Sequence, residues 1–137
     1  MTRDSQNLVR NDKSQREFAT LQKAIKMGLI DPDSVRRPIN HKSEETGDFI
    51  TFDKTRTYEM KSILSRNNES LSTSLNNVID NITDKVKSGL NGPTNYIIDL
   101  GEVPNFLQDA YIKEIKETLT RNQVIDKIEL DFTLNKN

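Results

Sequence analysis

Apolar residues recur at helical spacing in three segments of the chain, and these segments predict three helices. The first is expected to begin at Ser14, which forms a capping-box pattern with Glu17, and to end just before Gly28. The second, over residues 69–88, has the most regular pattern, and the third begins near Pro104, since proline suits the first turn of a helix. The apolar stripes consist of Phe18, Leu21 and Ile25 in the first helix, Leu71, Leu75, Val78, Ile79, Ile82 and Val86 in the second, and Phe106, Leu107, Ala110, Tyr111, Ile115 and Leu119 in the third.

The other apolar segments predict strands. Residues 47–61 have the pattern of a hairpin with a polar turn at 53–56, and residues 95–100 form the continuous apolar run of a central strand covered on both faces. Residues 31–45 contain two prolines and few apolar residues, which predicts a surface loop. Residues 124–134 alternate, and this predicts a strand with Ile128, Leu130, Phe132 and Leu134 on the buried face and Lys127, Glu129, Asp131 and Thr133 on the wet face.

The order helix, strand, strand, helix, strand, helix, strand predicts an α/β fold. Consecutive strand–helix–strand units require right-handed crossovers and parallel strands, whereas the hairpin adds an antiparallel strand. We therefore expect a central mixed β-sheet of about four to five strands, flanked by helices. The 137 residues suit one domain. Residues 14–137 are accordingly expected to form a single α/β domain, preceded by a flexible N-terminal arm, residues 1–13.

Charge and composition narrow the classes of protein and of site. The 20 basic and 21 acidic residues give a net charge of −1, which argues weakly against a protein that coats nucleic acid but leaves room for an enzyme with a local basic patch. The chain has no cysteine, which excludes disulfides and thiolate metal sites, and its single histidine, His41, limits histidine ligands to one. No apolar run approaches the roughly 20 residues that span a bilayer, and no signal peptide is expected at the start of the chain.

Candidate chemistry concentrates in the predicted hairpin. Asp48 opens its first strand, and Glu59 and Lys61 lie two residues apart on the second, so these two point to the same side of the sheet. The two carboxylates, with the carbonyl oxygen of Met60, would suit a divalent metal ion. A lysine beside the ion can orient or deprotonate the attacking water and stabilise charge on a phosphate. The same residues would also suit an ordinary hairpin, with Glu59 and Lys61 as a solvated ion pair.

The hairpin resembles a known nuclease motif. Gly47-Asp48, followed by Glu59-Met60-Lys61, resembles the PD-(D/E)xK motif, with Gly47 at the position of the motif's proline. A helix that carries an acid precedes this motif and a helix–strand continuation follows it, as in the restriction-endonuclease-like core. The chain over residues 44–134 also resembles the C-terminal toxin domains of contact-dependent growth inhibition proteins and of other bacterial polymorphic toxin systems, through segments 58–62, 74–81, 84–89, 96–100 and 124–129.

The resemblance implies a metal-dependent nuclease toxin that hydrolyses tRNA or DNA in a competing bacterial cell and is neutralised by a cognate immunity protein. It implies that Asp48 and Glu59 bind the metal ion and that Lys61 is the catalytic lysine. The oxygen ligands favour Mg²⁺, with Mn²⁺ or Zn²⁺ as alternatives. Families of this kind often add a glutamate from the first helix, for which Glu17 is the candidate. Such a domain is delivered as part of a larger secreted protein and acts in the cytoplasm of the target cell.

Further candidates lie around the hairpin. Asp99 ends the predicted central strand, where sites of α/β proteins gather, although a plain strand-end residue explains it more simply. Residues 72–74 begin the second helix, where a helix N-terminus would suit a phosphate. The loop before the hairpin carries basic residues that either bind nucleic-acid phosphates or keep the loop soluble, and two acids that could replace Glu17: Arg36, Arg37, His41 and Lys42, then Glu44 and Glu45.

Two other classes of function remain open from the residues alone. In a metal-independent RNase toxin, His41, Arg36 and a hydroxyl group would carry out acid–base chemistry on the 2′-hydroxyl of RNA. In a non-enzymatic binding protein, such as an immunity protein, a regulator or a phage-encoded inhibitor, Glu59 and Lys61 would be plain surface residues. These classes differ in toxicity when the protein is expressed alone and in their response to metal chelation.

Overall fold

Three helices and five strands make up the part of the chain that the computed structural model describes, which comprises residues 12–31, 33–36, 49–51, 57–65, 70–88 and 95–134. The helices are α1 (Asp12–Lys26), α2 (Leu71–Lys87) and α3 (Asn105–Arg121). The strands are β1 (Val35–Arg36), β2 (Phe49–Thr51), β3 (Thr57–Ser62), β4 (Asn95–Asp99) and β5 (Glu129–Thr133), and a 3-10 turn at Ile125–Lys127 precedes β5.

The strands form one sheet in the order β1-β2-β3-β4-β5. Strands β3, β4 and β5 run parallel, while β1 and β2 are short and pair antiparallel, β2 with β3 in the register Phe49↔Tyr58. Each parallel step contains one helix, which is the connection that parallel neighbours need. The predicted α/β class, with parallel strands flanked by helices, is confirmed, as is the antiparallel pairing of the hairpin strands.

Both faces of the sheet are covered, and strand alternation divides the core between them. On β4, Ile97 packs with α1, whereas Tyr96 and Ile98 pack with α2 and α3. The burial of all three side chains confirms the predicted central strand. On one face the core contains Leu21, Ala24, Ile30, Val35, Phe49, Tyr58 and Met60, and on the other Ile63, Leu75, Val78, Ile79, Ile82, Leu100, Val103, Ile115, Leu119 and Val124.

Local sequence explains where two of the helices begin or end. Gly28 has a φ of 78° and ends α1, since a left-handed residue lets the Leu29 N–H donate to the Ala24 carbonyl oxygen at 2.9 Å. The stop predicted at Gly28 is thus confirmed. At the start of α2, the hydroxyl oxygen of Ser70 accepts from the N–H of Thr73 at 3.1 Å, so the chain provides its own N-cap.

Four predictions about the helices and the N-terminal arm need correction. Helix α1 begins at Asp12, so Ser14 lies inside its first turn and the capping box at Ser14 is wrong. Because α1 already contains residues 12 and 13, only residues 1–11 of the predicted arm lie outside the described chain. Pro104 is the residue before α3 rather than part of its first turn. Phe106, predicted in the apolar stripe of α3, is 84% exposed.

Three predictions about the strands also need correction. Residues 31–45 were expected to form only a loop, but β1 lies there, because Val35 is apolar enough to be buried against the α1 face of the sheet. Residues 125–127 form a 3-10 turn, so β5 starts later than the alternation predicted. Thr133, expected on the wet face, is fully buried because α1 covers that face and its hydroxyl donates to Asp99 at 2.8 Å.

Candidate active site

Strand β3 presents two different faces along its length. Tyr58 and Met60 pack into the core beneath α1, so the alternation of the strand directs Glu59 and Lys61 toward the face covered by α2. The register Glu59↔Tyr96 places Glu59 beside the central strand. The two candidate residues therefore share one side of the sheet, as their spacing predicts.

Glu59 is a buried carboxylate with two cationic partners. Its residue is 6% exposed, and its Oε2 atom lies 3.1 Å from the Nζ atom of Lys61. The Nζ atom of Lys85, in the last turn of α2, donates to the same oxygen. Burial of an unpaired carboxylate is costly, and these two ammonium groups offset that cost. The expected alternative of a solvated Glu59–Lys61 pair does not describe this site, because Glu59 is withdrawn from water.

Tyr96 lies beside this charged group. Its side chain is 1% exposed, and within the described chain its hydroxyl has no hydrogen-bond partner. Burial, followed by the negative charge of Glu59, raises the pKa of Tyr96 to about 12. The phenol is therefore a neutral group next to Glu59 at physiological pH.

A cavity of about 180 Å³ opens beside Glu59 and Lys61. Helix α1 contributes Arg16 and Glu17 to its wall, and Glu17 is 8% exposed. Glu17, Leu21 and Ala24 lie on one face of α1, at i, i+4 and i+7, which brings Glu17 down onto the sheet. The structure thus brings together three of the predicted site residues, Glu17, Glu59 and Lys61, from two separate elements. The described residues that line the cavity are Arg16, Glu17, Glu59, Met60, Lys61, Ser62 and Leu64.

Several predicted site residues lie where the structure makes no statement about their side chains. Arg36 forms part of β1, but its side chain lies outside the described atoms. The others fall wholly outside the described residues: Arg37, His41, Lys42, Glu44, Glu45 and Asp48.

The two remaining candidates have structural roles. Asp99 accepts hydrogen bonds from Lys23 Nζ at 3.0 Å, Thr133 Oγ1 at 2.8 Å and the Gly101 N–H at 3.2 Å, so it ties α1 to the ends of β4 and β5. Residues 72–74 are first-turn residues of α2, and the hydroxyl of Ser74 accepts from the N–H of Leu64 at 3.0 Å. The hydrogen bonds of Asp99 and Ser74 give both candidates a structural role that needs no bound ligand.

Lys85 and Tyr96 are the neighbours of Glu59 that sequence reasoning missed. Lys85 lies at i+7 from Val78 and i+3 from Ile82, at the border of the buried stripe of α2. That spacing was a usable signal. Tyr96 had no local signal, since only the register of β4 against β3 places it beside Glu59.

The side chains that line the cavity provide some, but not all, of the oxygen ligands that a hard divalent cation needs. Glu17 and Glu59 offer carboxylate oxygens on one cavity, which is the ligand type that Mg²⁺ prefers. Among the described residues, however, no group of three or more acidic or imidazole side chains is close enough to hold a metal ion. A complete site would therefore need a further ligand, and the predicted one, Asp48, lies outside the described chain.

Within the described residues, no helix is both long and apolar enough to cross a membrane. Comparison of the chain with protein-family models, with curated proteins and with solved structures finds no match.

Proposed function

We propose that the protein is a metal-dependent nuclease with a restriction-endonuclease-like core, and that the cavity beside β3 is its active site. The main support for this proposal is that Glu17, Glu59 and Lys61 all line one cavity. From the sequence, a capping box with Ser14 offered another explanation of Glu17. Because α1 begins at Asp12, Ser14 and Glu17 do not form a capping box. The burial of Glu17 at the cavity therefore supports a role for this residue in the active site.

The order of elements supports the proposed nuclease core. A helix with an acid, α1, precedes the antiparallel pair β2 and β3, and the α2–β4 unit follows it. This is the arrangement described above for the PD-(D/E)xK motif, with Glu59-Met60-Lys61 on β3. The parallel strands then place the motif strand next to the buried central strand, which is a rigid support for a site.

Asp48 completes the proposed ligand set. It directly precedes Phe49, and Phe49 is the Cα partner of Tyr58, the residue before Glu59. Asp48 and Glu59 therefore each lie one residue beyond this described pair in the sequence, on either side of it. This relation supports Asp48 and Glu59 as the ligands of one cation.

A divalent cation bound there would supply a Lewis acid and a water of lowered pKa. The residues of the chain would do the rest. Asp48, Glu59 and Glu17 would hold the ion, and Lys61 would donate a hydrogen bond to the attacking water or to a phosphate oxygen. Water would add to phosphorus as the P–O bond to the leaving oxygen breaks, with one proton of the water released to solvent and one taken up from solvent by the leaving oxygen. Because Lys61 already forms an ion pair with Glu59, it is held at the cavity rather than free to rotate.

We further propose that the nuclease is a toxin, on the basis of the resemblance to contact-dependent growth inhibition domains. Its substrate would be tRNA or DNA, its partner a cognate immunity protein, and its place of action the cytoplasm of a target cell reached as part of a larger secreted protein. Arg36, Arg37, His41 and Lys42 would bind the phosphates of the substrate; Arg36 lies on β1, next to the hairpin strand β2.

The direct test is cleavage of total RNA and plasmid DNA by the purified protein with Mg²⁺, Mn²⁺ or Zn²⁺, and with EDTA. We expect cleavage of one substrate with metal, none with EDTA, and a rate at least about 10²-fold lower for Lys61→Ala, because removal of one transition-state donor has an effect of that size. Lys113→Ala is the matched control, since Lys113 is an exposed lysine paired with Glu117 on α3. Cleavage of neither substrate with any metal would contradict the proposal.

Expression in a bacterial cell without a protector separates the proposal from a non-enzymatic binding protein. That second candidate has one observation in its favour, namely that Glu59 is already neutralised by lysines as in a purely structural ion pair. A nuclease toxin should arrest growth, and Lys61→Ala should abolish the arrest. A wild-type chain that accumulates without harm would favour the binding protein.

A further inference from the structure

The charged group around Glu59 contains more positive charge than burial of one carboxylate requires. A single ammonium group neutralises a carboxylate, and Lys61 at 3.1 Å from Oε2 already does so. Lys85 adds a second ammonium group to the same oxygen. At the nearby cavity wall Arg16 and Glu17 offset each other's charge. Counted over the described residues alone, these five side chains together carry one positive charge in excess.

The two lysines differ in the way they reach this oxygen. Lys61 extends from β3 and lines the cavity, with 20% of its side chain exposed. Lys85 extends from the last turn of α2, and 39% of its side chain is exposed. Lys85 is therefore the more accessible of the two ammonium groups, and its stem crosses from a helix to the sheet.

We propose that Lys85 and Lys61 form a two-ammonium site for one phosphate group of a nucleic acid strand, with Glu59 as the support that holds the two ammonium groups together. This inference rests on the proposed nuclease function and adds a residue to it, Lys85. It identifies α2 as the element that, with β3, binds the backbone of the substrate.

The geometry suits a phosphodiester group. Both Nζ atoms contact Glu59 Oε2, so they lie within about two hydrogen-bond lengths of each other, roughly 6 Å at most. A phosphodiester has two non-bridging oxygens, and two ammonium groups at this separation can each donate to one of them. The excess positive charge attracts the phosphate, and the ammonium groups can keep their contact with Glu59 because each has three N–H donors.

Neighbouring groups support a fixed rather than a mobile arrangement. Glu59 is 6% exposed and sits on a strand bonded to β4, so the oxygen that gathers the lysines is held by the sheet. Tyr96, fully packed beside it, has an unpartnered hydroxyl among the described residues, which leaves a neutral donor within the charged group. The two lysines are therefore placed before any phosphate arrives, which lowers the entropy lost on binding.

The test measures binding without cleavage. The full chain in EDTA is titrated against a fluorescently labelled single-stranded RNA and a DNA duplex, and anisotropy gives Kd at several salt concentrations. Lys85→Met should weaken binding of the single strand about fivefold at about 0.1 M salt and make the slope of log K against log salt shallower by about 0.7, the loss of one phosphate contact. Lys85→Arg should retain the wild-type slope, because it keeps the charge.

Lys113→Met is the matched control, because Lys113 is exposed and pairs with Glu117 on another helix; its slope should equal that of the wild type. Circular dichroism of each variant confirms that it is folded. A Lys85→Met slope equal to the wild type, an equal loss in Lys113→Met, or no binding by the wild type would each overturn the inference. A chain that shows the expected dependence on Lys85 but cleaves nothing would keep the phosphate site and refute the nuclease proposal.

Discussion

At the scale of single residues, the site is defined by what surrounds Glu59. Its carboxylate is buried, shared by two lysines and flanked by the hydroxyl of Tyr96. Lys85 and Tyr96 belong to other elements than Glu59, whereas Lys61 lies on the same strand, β3. The neighbours of Glu59 are therefore a product of packing, whereas Lys61 follows from strand alternation alone.

Removal of the Tyr96 hydroxyl should be neutral or stabilising. A buried hydroxyl without a partner costs free energy, so Tyr96→Phe should raise the free energy of unfolding by up to about 1 kcal/mol, measured by urea denaturation at neutral pH. Tyr111→Phe, at a half-buried tyrosine of α3, is the control and should change stability little. A loss of stability in Tyr96→Phe would show that this hydroxyl has a partner.

The raised pKa of Tyr96 also predicts a pH dependence. The folded value is about 12, against an ordinary value of 10, so the folded state holds the phenol proton more tightly than the unfolded chain. The corresponding stability is complete below pH 10 and is lost as pH rises toward 12. Tyr96→Phe should lose less stability than the wild type across this window, as measured by urea denaturation at stepped pH; equal losses would contradict the assignment.

At the scale of elements, α1 and α3 end in the same way although their sequences differ there. In α1 the left-handed residue is Gly28, with φ 78°, and in α3 it is Gln123, with φ 63°. In α3 the Val124 N–H donates to the Leu119 carbonyl oxygen at 3.1 Å, the counterpart of the bond that closes α1. The glycine signals its helix end in the sequence, whereas the glutamine gives no such signal.

Substitution at the two helix ends should have opposite effects. Gly28→Ala should lower the free energy of unfolding by about 1 kcal/mol, because no atom lies within 4 Å of the added Cβ and only backbone strain remains. Gln123→Gly should raise it by about 0.5 kcal/mol, since relief of strain exceeds the added entropy of the unfolded chain. Thermal or urea denaturation of the two variants measures both, and changes of the same sign would contradict the account.

At the scale of the whole molecule, the sheet lies between two apolar cores. Helix α1 covers one face, α2 and α3 cover the other, and β4 contributes side chains to both. The Lys23–Asp99 ion pair, 3.0 Å long, adds a link between α1 and the central strand. The site depends on both layers, because Glu17 comes from α1 and Lys85 from α2.

Truncation in either core should destabilise the entire domain. Leu21→Ala beneath α1 and Ile79→Ala beneath α2 should each lower the free energy of unfolding by about 2–5 kcal/mol, since both side chains are buried. We expect one urea transition, with the same midpoint by far-UV circular dichroism and by tyrosine fluorescence. A separate early transition in Leu21→Ala would show that α1 unfolds independently of the sheet.

Much of the fold followed from local patterns. The stripes of α1 and α2, the alternation in β3, the apolar run of β4 and the glycine stop all depend on residues a few positions apart, so a periodicity argument reaches them. The two wrong predictions of side-chain burial also share one cause. Phe106 was assigned to the apolar stripe of α3 but faces water, and Thr133 was assigned to a wet face that α1 covers, because hydrophobicity does not say which position has a neighbour.

The sequence by itself determined the class of the fold, the direction of Glu59 and Lys61, and the choice of that strand as the candidate site. Tertiary structure decided the rest. Only the packing of α1 and α2 on opposite faces of the sheet could bring Glu17 to the cavity and Lys85 to Glu59. The physical reason is range: a side chain's direction along its own element follows from backbone geometry, whereas its partners across elements follow from how apolar faces are buried together.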